Sequence, residues 1–210
     1  VPDTLDKEIV RDAARFLNDG EKMQLSYAVQ NTHRTVGTRT SSHIVQNFGM
    51  RNSLQPDHLT VKLKGSAGQS LGAFAAPGLK IEVSGDANDY VGKGLSGGII
   101  VVRPPMASPL KASDNTIIGN TVLYGATDGL LFAAGRAGER FAVRNSGAKV
   151  VVEGCGSNGC EYMTGGVAVV LGTIGANFGA GMTGGMAYIY DPNETAIESV
   201  SYTHLTLPTT

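Results

Sequence analysis

Little in this chain points outward to a ligand or a membrane. It has no tryptophan and only two cysteines, Cys155 and Cys160. Two thiols make no disulfide framework, and their spacing is not the C-x-x-C of redox or zinc sites. They read as reduced cytosolic thiols. A role as cluster ligands would need further cysteines. The formal net charge is −1, which leaves no basic footprint for nucleic acid or anionic lipid, so neither is expected as a partner. No run approaches the ~18 apolar residues of a membrane span. No basic-then-apolar leader opens the chain, and a start at Val1 fits a piece of a longer cytoplasmic protein.

Catalytic groups are equally sparse. His33, His43, His58 and His204 are scattered, with no paired ligand spacing on a common face, so no metal site is expected. Ser42-His43 offers no nucleophile with an oriented base. Arg140 and Arg144, four apart across an expected strand, point to one face and read as a salt-bridged surface, with a substrate-anion site as the alternative. Asp86 and Asp89 beside Asn88 read as turn formers. The other reading of Glu82, Asp86 and Asp89 is the carboxylate cluster of a carbohydrate enzyme.

Glycine is the residue in excess, with 29 in 210 positions. Turn-suited residues recur at Gly65, Gly85, Pro104, Gly135, Gly154, Gly172 and Asp191, with spacings of 20, 19, 31, 19, 18 and 19. Nearly all follow a short apolar run: LTVKL (59–63), LKIEV (79–83), IIVV (99–102), LLF (130–132), KVVV (149–152), VAVV (167–170) and MAYIY (186–190). One β-rich run per fixed period is the signature of a stacked-coil solenoid. The runs are dense rather than alternating, as in parallel strands buried on one side and covered on the other. A crossover of ~14 residues is too short for an average helix with its loops. The expected fold is therefore all-β: a right-handed parallel β-helix of about seven coils with a short N-terminal α-helix. Stacked at ~4.8 Å per coil, seven coils make a rod of about 34 Å.

Three domain segments are expected. Residues 1–23 form an N-terminal helix and lead-in, because Leu5, Ile9, Ala13, Phe16 and Leu17 share a face. Asp3 or Thr4 caps that helix, and Asn18-Asp19-Gly20 stops it. Residues 24–198 form the glycine-rich β-helix. The long spacing of 31 holds an insert, RPPMASPLKASDN (103–115), whose prolines mark a surface loop. Residues 31–49 read as a first coil ending at Gly49. Residues 199–210 break the pattern and read as a non-native tail. Coil ends expose unpaired strand edges. The 3–17 helix is expected to cover one end, and the other, at MAYIY, is expected to drive self-association.

VGKGLSGG carries a literal G-x-G-x-x-G at Gly92, Gly94, Gly97, and FGAGMTGG carries another at Gly179, Gly181, Gly184. A dinucleotide site needs this motif between a strand and a helix N-terminus. Here strand formers follow it. The motif also recurs in weakened form in CEYMTGG (160–166), YGATDGL (124–130) and NSGA (145–148). Stacked corners are the better reading, because glycine allows φ > 0 and close backbone approach. That role is assigned to Gly92, Gly94, Gly97, Gly98, Gly125 and Gly129. It extends to Gly147, Gly165, Gly166, Gly179, Gly181, Gly184 and Gly185.

The strings GSAGQSLGAFAAPGLKIEVSGDANDYVGKGLSGG (65–98), GNTVLYGATDG (119–129), GRAGERFAVRNSGA (135–148), GCEYMTGG (159–166) and NFGAGMTGG (177–185) resemble, in order, the C-terminal GXGXG-repeat domain of the glutamate synthase large subunit. The resemblance covers roughly 20–190; Asp128 and the tail depart from it. It implies a parent oxidoreductase that makes two glutamates from glutamine and 2-oxoglutarate, using FMN, a 3Fe–4S cluster and a reductant. It also implies that this domain has no catalytic, cofactor or metal residue. Its implied role is to hold the amidotransferase and FMN-binding domains of the same polypeptide in place. A small NAD(P)H-oxidising subunit is a further implied partner. The alternatives are a β-helix subunit of another oxidoreductase, such as formylmethanofuran dehydrogenase, and a free-standing carbohydrate-active β-helix.

Overall fold

The computed structural model describes residues 4–194 and 196–200. Most of the expected tail, 201–210, lies outside the described residues. The fold is largely β: one parallel sheet with a few helices at its N-terminal end.

The expected N-terminal helix is two helices, α1 (Leu5–Asp12) and α2 (Ala14–Asp19), separated by Ala13 at ψ 14°. Thr4 caps α1 by accepting from the Lys7 amide at 3.3 Å, and Gly20 closes α2 in the left-handed region. Leu5, Ile9, Ala13, Phe16 and Leu17 are all buried, as their spacing requires.

Residues 31–49 correct the sequence reading. They hold a helix, α3 (Thr38–Phe48), where a β coil was expected. The inward residues of α3 include Thr40 and Ser41 beside Ile44, so its apolar stripe is thin. Those polar groups are satisfied by neighbours. Asp6 of α1 accepts from the Arg39 amide at 2.6 Å and the Thr40 hydroxyl at 2.5 Å. Asp6 thereby caps α3, which starts after Gly37 with no side-chain cap of its own. The Ser41 hydroxyl accepts from the Ala76 amide. Tertiary partners, rather than local propensity, make this segment helical.

The sheet runs β1 (Met23–Val29), β2 (Leu59–Ala67), β3 (Leu79–Ala87), β4 (Ser96–Arg103), β6 (Asp128–Ala133), β8 (Ser146–Val152), β9 (Thr164–Val170) and β10 (Gly184–Ile189). All pairings are parallel and, β1 to β10, follow chain order. Each of the seven apolar runs falls on a rung, and β1 adds an eighth. Two short strands, β5 (Thr116–Ile118) and β7 (Arg136–Ala137), form a side ladder with the end of β3. The insert lies between β4 and β5, as an exposed stretch ending in one turn of 3-10 helix, Ala112–Asp114.

In-register pairing stacks like on like. Val61, Ile81, Ile100, Leu131, Val150 and Ala168 form one inward column. Leu63, Val83, Val102, Ala133, Val152 and Val170 form the next. These residues join Ile9, Phe16 and Ile44 of the helices in one apolar cluster. At roughly 25 cal/mol per Å² of buried apolar surface, such a continuous core supplies the main stabilising term. It needs no crosslink, and Cys155 and Cys160 are free and buried within it.

Candidate functional site

The glycine-rich segments lie between rungs and form a second ladder. In each, three alternate residues take the left-handed conformation. They are Ser70, Gly72, Phe74; Tyr90, Gly92, Gly94; Thr121, Leu123, Gly125; Arg140, Ala142, Arg144; Asn158, Cys160, Tyr162; and Asn177, Gly179, Gly181. The first non-glycine member has φ 62° and the last 57°, with the rest close by.

This alternation has a physical purpose. It turns successive amides to opposite sides, so each corner bonds to the coil before it and the coil after it. The first position donates forward: Ser70 N–H to Asp89 O at 2.9 Å, Tyr90 to Asn120 O, Thr121 to Glu139 O and Arg140 to Ser157 O. The second donates backward: Gly92 N–H to Leu71 O at 2.8 Å, Leu123 to Val91 O and Cys160 to Phe141 O. The third donates forward again, as Gly94 N–H does to Tyr124 O at 2.9 Å. Backbone donors that would be costly to leave unpaired inside the stack are satisfied this way. Between the first and second positions the chain points inward: Leu71, Val91, Val122, Phe141 and Phe178 are buried.

The glycines fall in two kinds of place along this ladder. Twelve of the eighteen left-handed positions are not glycine. Each costs about 1 kcal/mol, which the inter-coil bonds offset. Gly92, Gly94, Gly125, Gly179 and Gly181 occupy this ladder. The other glycines do something different. Gly97, Gly98, Gly129, Gly147, Gly165, Gly166, Gly184 and Gly185 lie where the strands begin. Register shifts fall there, between Ser96 and Ile99, Ser146 and Lys149, and Gly184 and Met186. At these bulges backbones of adjacent coils approach closely. A Cβ on Gly147 would fall on the Thr127 carbonyl oxygen, and one on Gly165 on that of Ser146.

The G-x-G-x-x-G at Gly92–Gly97 and the one at Gly179–Gly184 therefore each span two corner steps and a bulge. Strands β4 and β10 follow, with no helix N-terminus to receive a phosphate. The dinucleotide reading has no structural context here.

The remaining candidates also resolve. Arg140 and Arg144 lie in a corner rather than on a strand, each left-handed. Arg140 pairs with Glu161 at 3.6 Å, and the Arg144 guanidinium lies 5.8 Å from the centre of the Tyr162 ring. Asp89 is a turn residue whose carboxylate accepts from the Asn120 amide at 2.8 Å, whereas Asp86 lies at the end of β3. Glu82 pairs with Lys80 across the outer face of β3. Burial pushes the Cys155 thiol up to about 12 and raises Cys160 further, so both stay protonated. Among the described residues no three His, Cys, Asp or Glu side chains are grouped to hold a metal, and no helix is long and apolar enough to cross a membrane.

Sequence reasoning missed Asn145, which is fully buried at a position occupied by Leu95, Ala126 and Met163 in neighbouring coils. Its side chain accepts from the Ala148 amide at 3.0 Å and donates to the Ala148 carbonyl at 2.9 Å, bracing the bulge at Gly147. The triplet Asn145-Ser146-Gly147 was the available signal.

A repeated parallel ladder joined by backbone-bonded, glycine-rich corners defines a largely β domain. The GXGXG motif family model matches residues 6–209, and the chain belongs to that family. It is 71% identical over 195 residues to the glutamate synthase [NADPH] large chain of Azospirillum brasilense, covering 93% of this chain and 13% of that protein. It is 52% identical over 187 residues to the glutamate synthase [NADH] of Schizosaccharomyces pombe, covering 89% and 9%. It is 55% identical over 175 residues to the ferredoxin-dependent glutamate synthase of Pyropia yezoensis, covering 83% and 11%. The chain thus spans about an eighth or less of these relatives.

Proposed function

We propose that this chain is the non-catalytic scaffold domain of a glutamate synthase, holding the amidotransferase and FMN-binding domains of one polypeptide in fixed relation. The observation that carries the reading is the 71% identity to a glutamate synthase large chain across 93% of this sequence. On this reading the ladder winds as a right-handed parallel β-helix of about seven coils over 24–198, with 1–23 as lead-in and 199–210 as a non-native tail. The corner and bulge glycines are its structural residues, and neither catalysis nor cofactor binding is assigned to them.

The parent enzyme would combine glutamine and 2-oxoglutarate with a two-electron reductant to give two glutamates, using FMN and a 3Fe–4S cluster. The residues here do not fit the cluster. An iron–sulfur cluster is held by several thiolates, whereas this chain has two cysteines, both kept as thiols by burial. The relatives are named for NADPH, NADH and ferredoxin, yet all match this domain. The choice of electron donor, and any small NAD(P)H-oxidising subunit, would then depend on other parts of the protein.

The test is activity. The full-length polypeptide should form glutamate from glutamine, 2-oxoglutarate and a reductant. Residues 1–198 alone should turn over neither glutamine nor any glycan. Turnover by the isolated domain would refute the scaffold role.

A further inference from the structure

The outward side of the sheet is divided into two zones. In register along one outward column, Ser26, Lys62 and Glu82 are followed by Val101, Phe132, Val151, Val169 and Tyr188. In the other, Gln24, Thr60 and Lys80 are followed by Ile99, Leu130, Lys149, Val167 and Met186. Polar residues fill these two columns on β1–β3, and from β4 to β10 both columns are apolar except for Lys149, with Arg103 beside them at the end of β4. Phe132 is 42% exposed, Tyr188 54% and Met186 58%. A solvated sheet face would alternate with polar residues along its whole length.

We propose that the outward face of β4–β10 seats another domain of the same polypeptide, through an apolar surface carrying one acceptor, a carboxylate or carbonyl, opposite Lys149. This rests on the reading of the chain as one domain of a longer glutamate synthase. Two observations select the occupant. The first is length: the relatives carry 87% or more of their sequence outside the matched region. The second is area. Five strands at ~4.8 Å spacing and two side-chain columns give a patch of roughly 20 Å by 10 Å. That approaches the few hundred Å² beyond which an exposed apolar patch marks an interaction site. It is far below the ~800 Å² per partner that holds two free proteins together. A tethered domain needs less area, because its effective concentration is on the order of millimolar. Lys149 makes no ion pair among the described residues, which leaves its ammonium available to that acceptor.

The experiment is alkylation of single cysteine variants in the full-length polypeptide, read peptide by peptide by mass spectrometry. Phe132→Cys and Val169→Cys probe the apolar zone, and Lys62→Cys probes the polar zone in the same column. Each rate is normalised to the urea-unfolded chain, and Val101→Cys replaces either apolar probe if it does not accumulate. Positions 132 and 169 should react at least tenfold more slowly than 62 in the native chain, independently of protein concentration. Equal rates overturn the proposal. Protection that is lost on dilution also overturns it, since the occupant would then be a second copy. Glutamate formation by the same full-length chain separates the two readings. Protection without glutamate formation supports the face and refutes the proposed enzyme; an active enzyme without protection refutes the face alone.

Discussion

Gly125 and Gly147 should respond very differently to alanine, although both belong to the repeated glycine pattern. Gly125 has φ 64° and open space around its missing Cβ. Gly125→Ala therefore adds only the left-handed penalty of about 1 kcal/mol. Loss of unfolded-state freedom returns about 0.4–1 kcal/mol. The net cost is between zero and about 1 kcal/mol, consistent with Arg144 and Phe74 occupying the equivalent position in other coils. Gly147 is the opposite case. Its φ carries no penalty, but its Cβ would meet the Thr127 carbonyl oxygen and lie 2.7 Å from the carbonyl carbon. Those atoms are backbone, braced on either side by ladder bonds, and cannot rotate away. Gly147→Ala should cost about 3 kcal/mol, at the upper end of overpacking effects. For a chain of this size, 1 kcal/mol is about 2–4 °C in Tm. The expected losses are at most about 4 °C for Gly125→Ala and about 6–12 °C for Gly147→Ala. Thermal and urea unfolding followed by far-UV circular dichroism measures both, since the chain has no tryptophan. Equal losses, or a larger one at Gly125, would refute the division of the glycines into two roles.

Asp6→Ala removes the carboxylate that caps α3 and bonds the Thr40 hydroxyl, and should cost about 2–3 kcal/mol in urea unfolding, with Asp6→Asn restoring part of it. Phe74→Ala and Gly94→Ala should couple, because a Cβ on Gly94 meets the Phe74 ring; the double variant should be about 1 kcal/mol more stable than the sum of the singles, and strict additivity would count against the contact. Cys155 and Cys160 should resist a thiol reagent until the chain unfolds. Their raised pKa values mean that the unfolded state releases these protons first as pH rises. Stability should then be flat below about pH 8.5 and fall above it, by up to about 1.4 kcal/mol per pH unit per thiol until the folded pKa, near 12 for Cys155, is reached. A chain whose stability rises between pH 9 and 11 would contradict that burial. No strand among the described residues pairs with the outer side of β10, so residues 1–198 should self-associate through that edge, and sedimentation as a monomer at high concentration would rule this out.

The rungs were legible because each is an apolar run of three to five residues, most of them rich in Val and Ile, at a period broken only by the insert, and period survives any local ambiguity. Pairings such as Gly65 with Gly85 follow from equal coil lengths. The insert was legible from its prolines. Helix α3 was not, because its buried face is made of Thr40 and Ser41, whose fitness inside depends on Asp6 and Ala76, residues 34 and 35 positions away. The left-handed ladder was half legible. Glycine announces it at Gly92, Gly94, Gly179 and Gly181, but Leu123, Ala142 and Cys160 take the same conformation with no sequence signal. Asparagine tolerates that region better than most residues, and Asn158 and Asn177 at the first position were the available hint.

A G-x-G-x-x-G that runs from a corner into the following strand appears only at Gly92–Gly97 and Gly179–Gly184, and the structure ties its middle glycine to the coil before. At the third left-handed position the side chain lies along the stack rather than away from it. Phe74 lies over Gly94, and Tyr162 lies over Gly181. In both cases the neighbour's ring fills the space of the missing Cβ. Where that position holds arginine, as at Arg144, the next coil supplies a ring for its guanidinium, Tyr162, in place of a glycine. The second glycine of each motif is thus set by a neighbouring aromatic, and the third by the coil before it, the Pro77 ring at Gly97 and the Thr164 carbonyl oxygen at Gly184. A motif that binds pyrophosphate elsewhere arises here from two independent packing demands that fall three residues apart. That origin explains why it decays between coils while the fold does not: either demand can be met by another residue when its neighbour changes, and the backbone ladder needs only the alternation of φ.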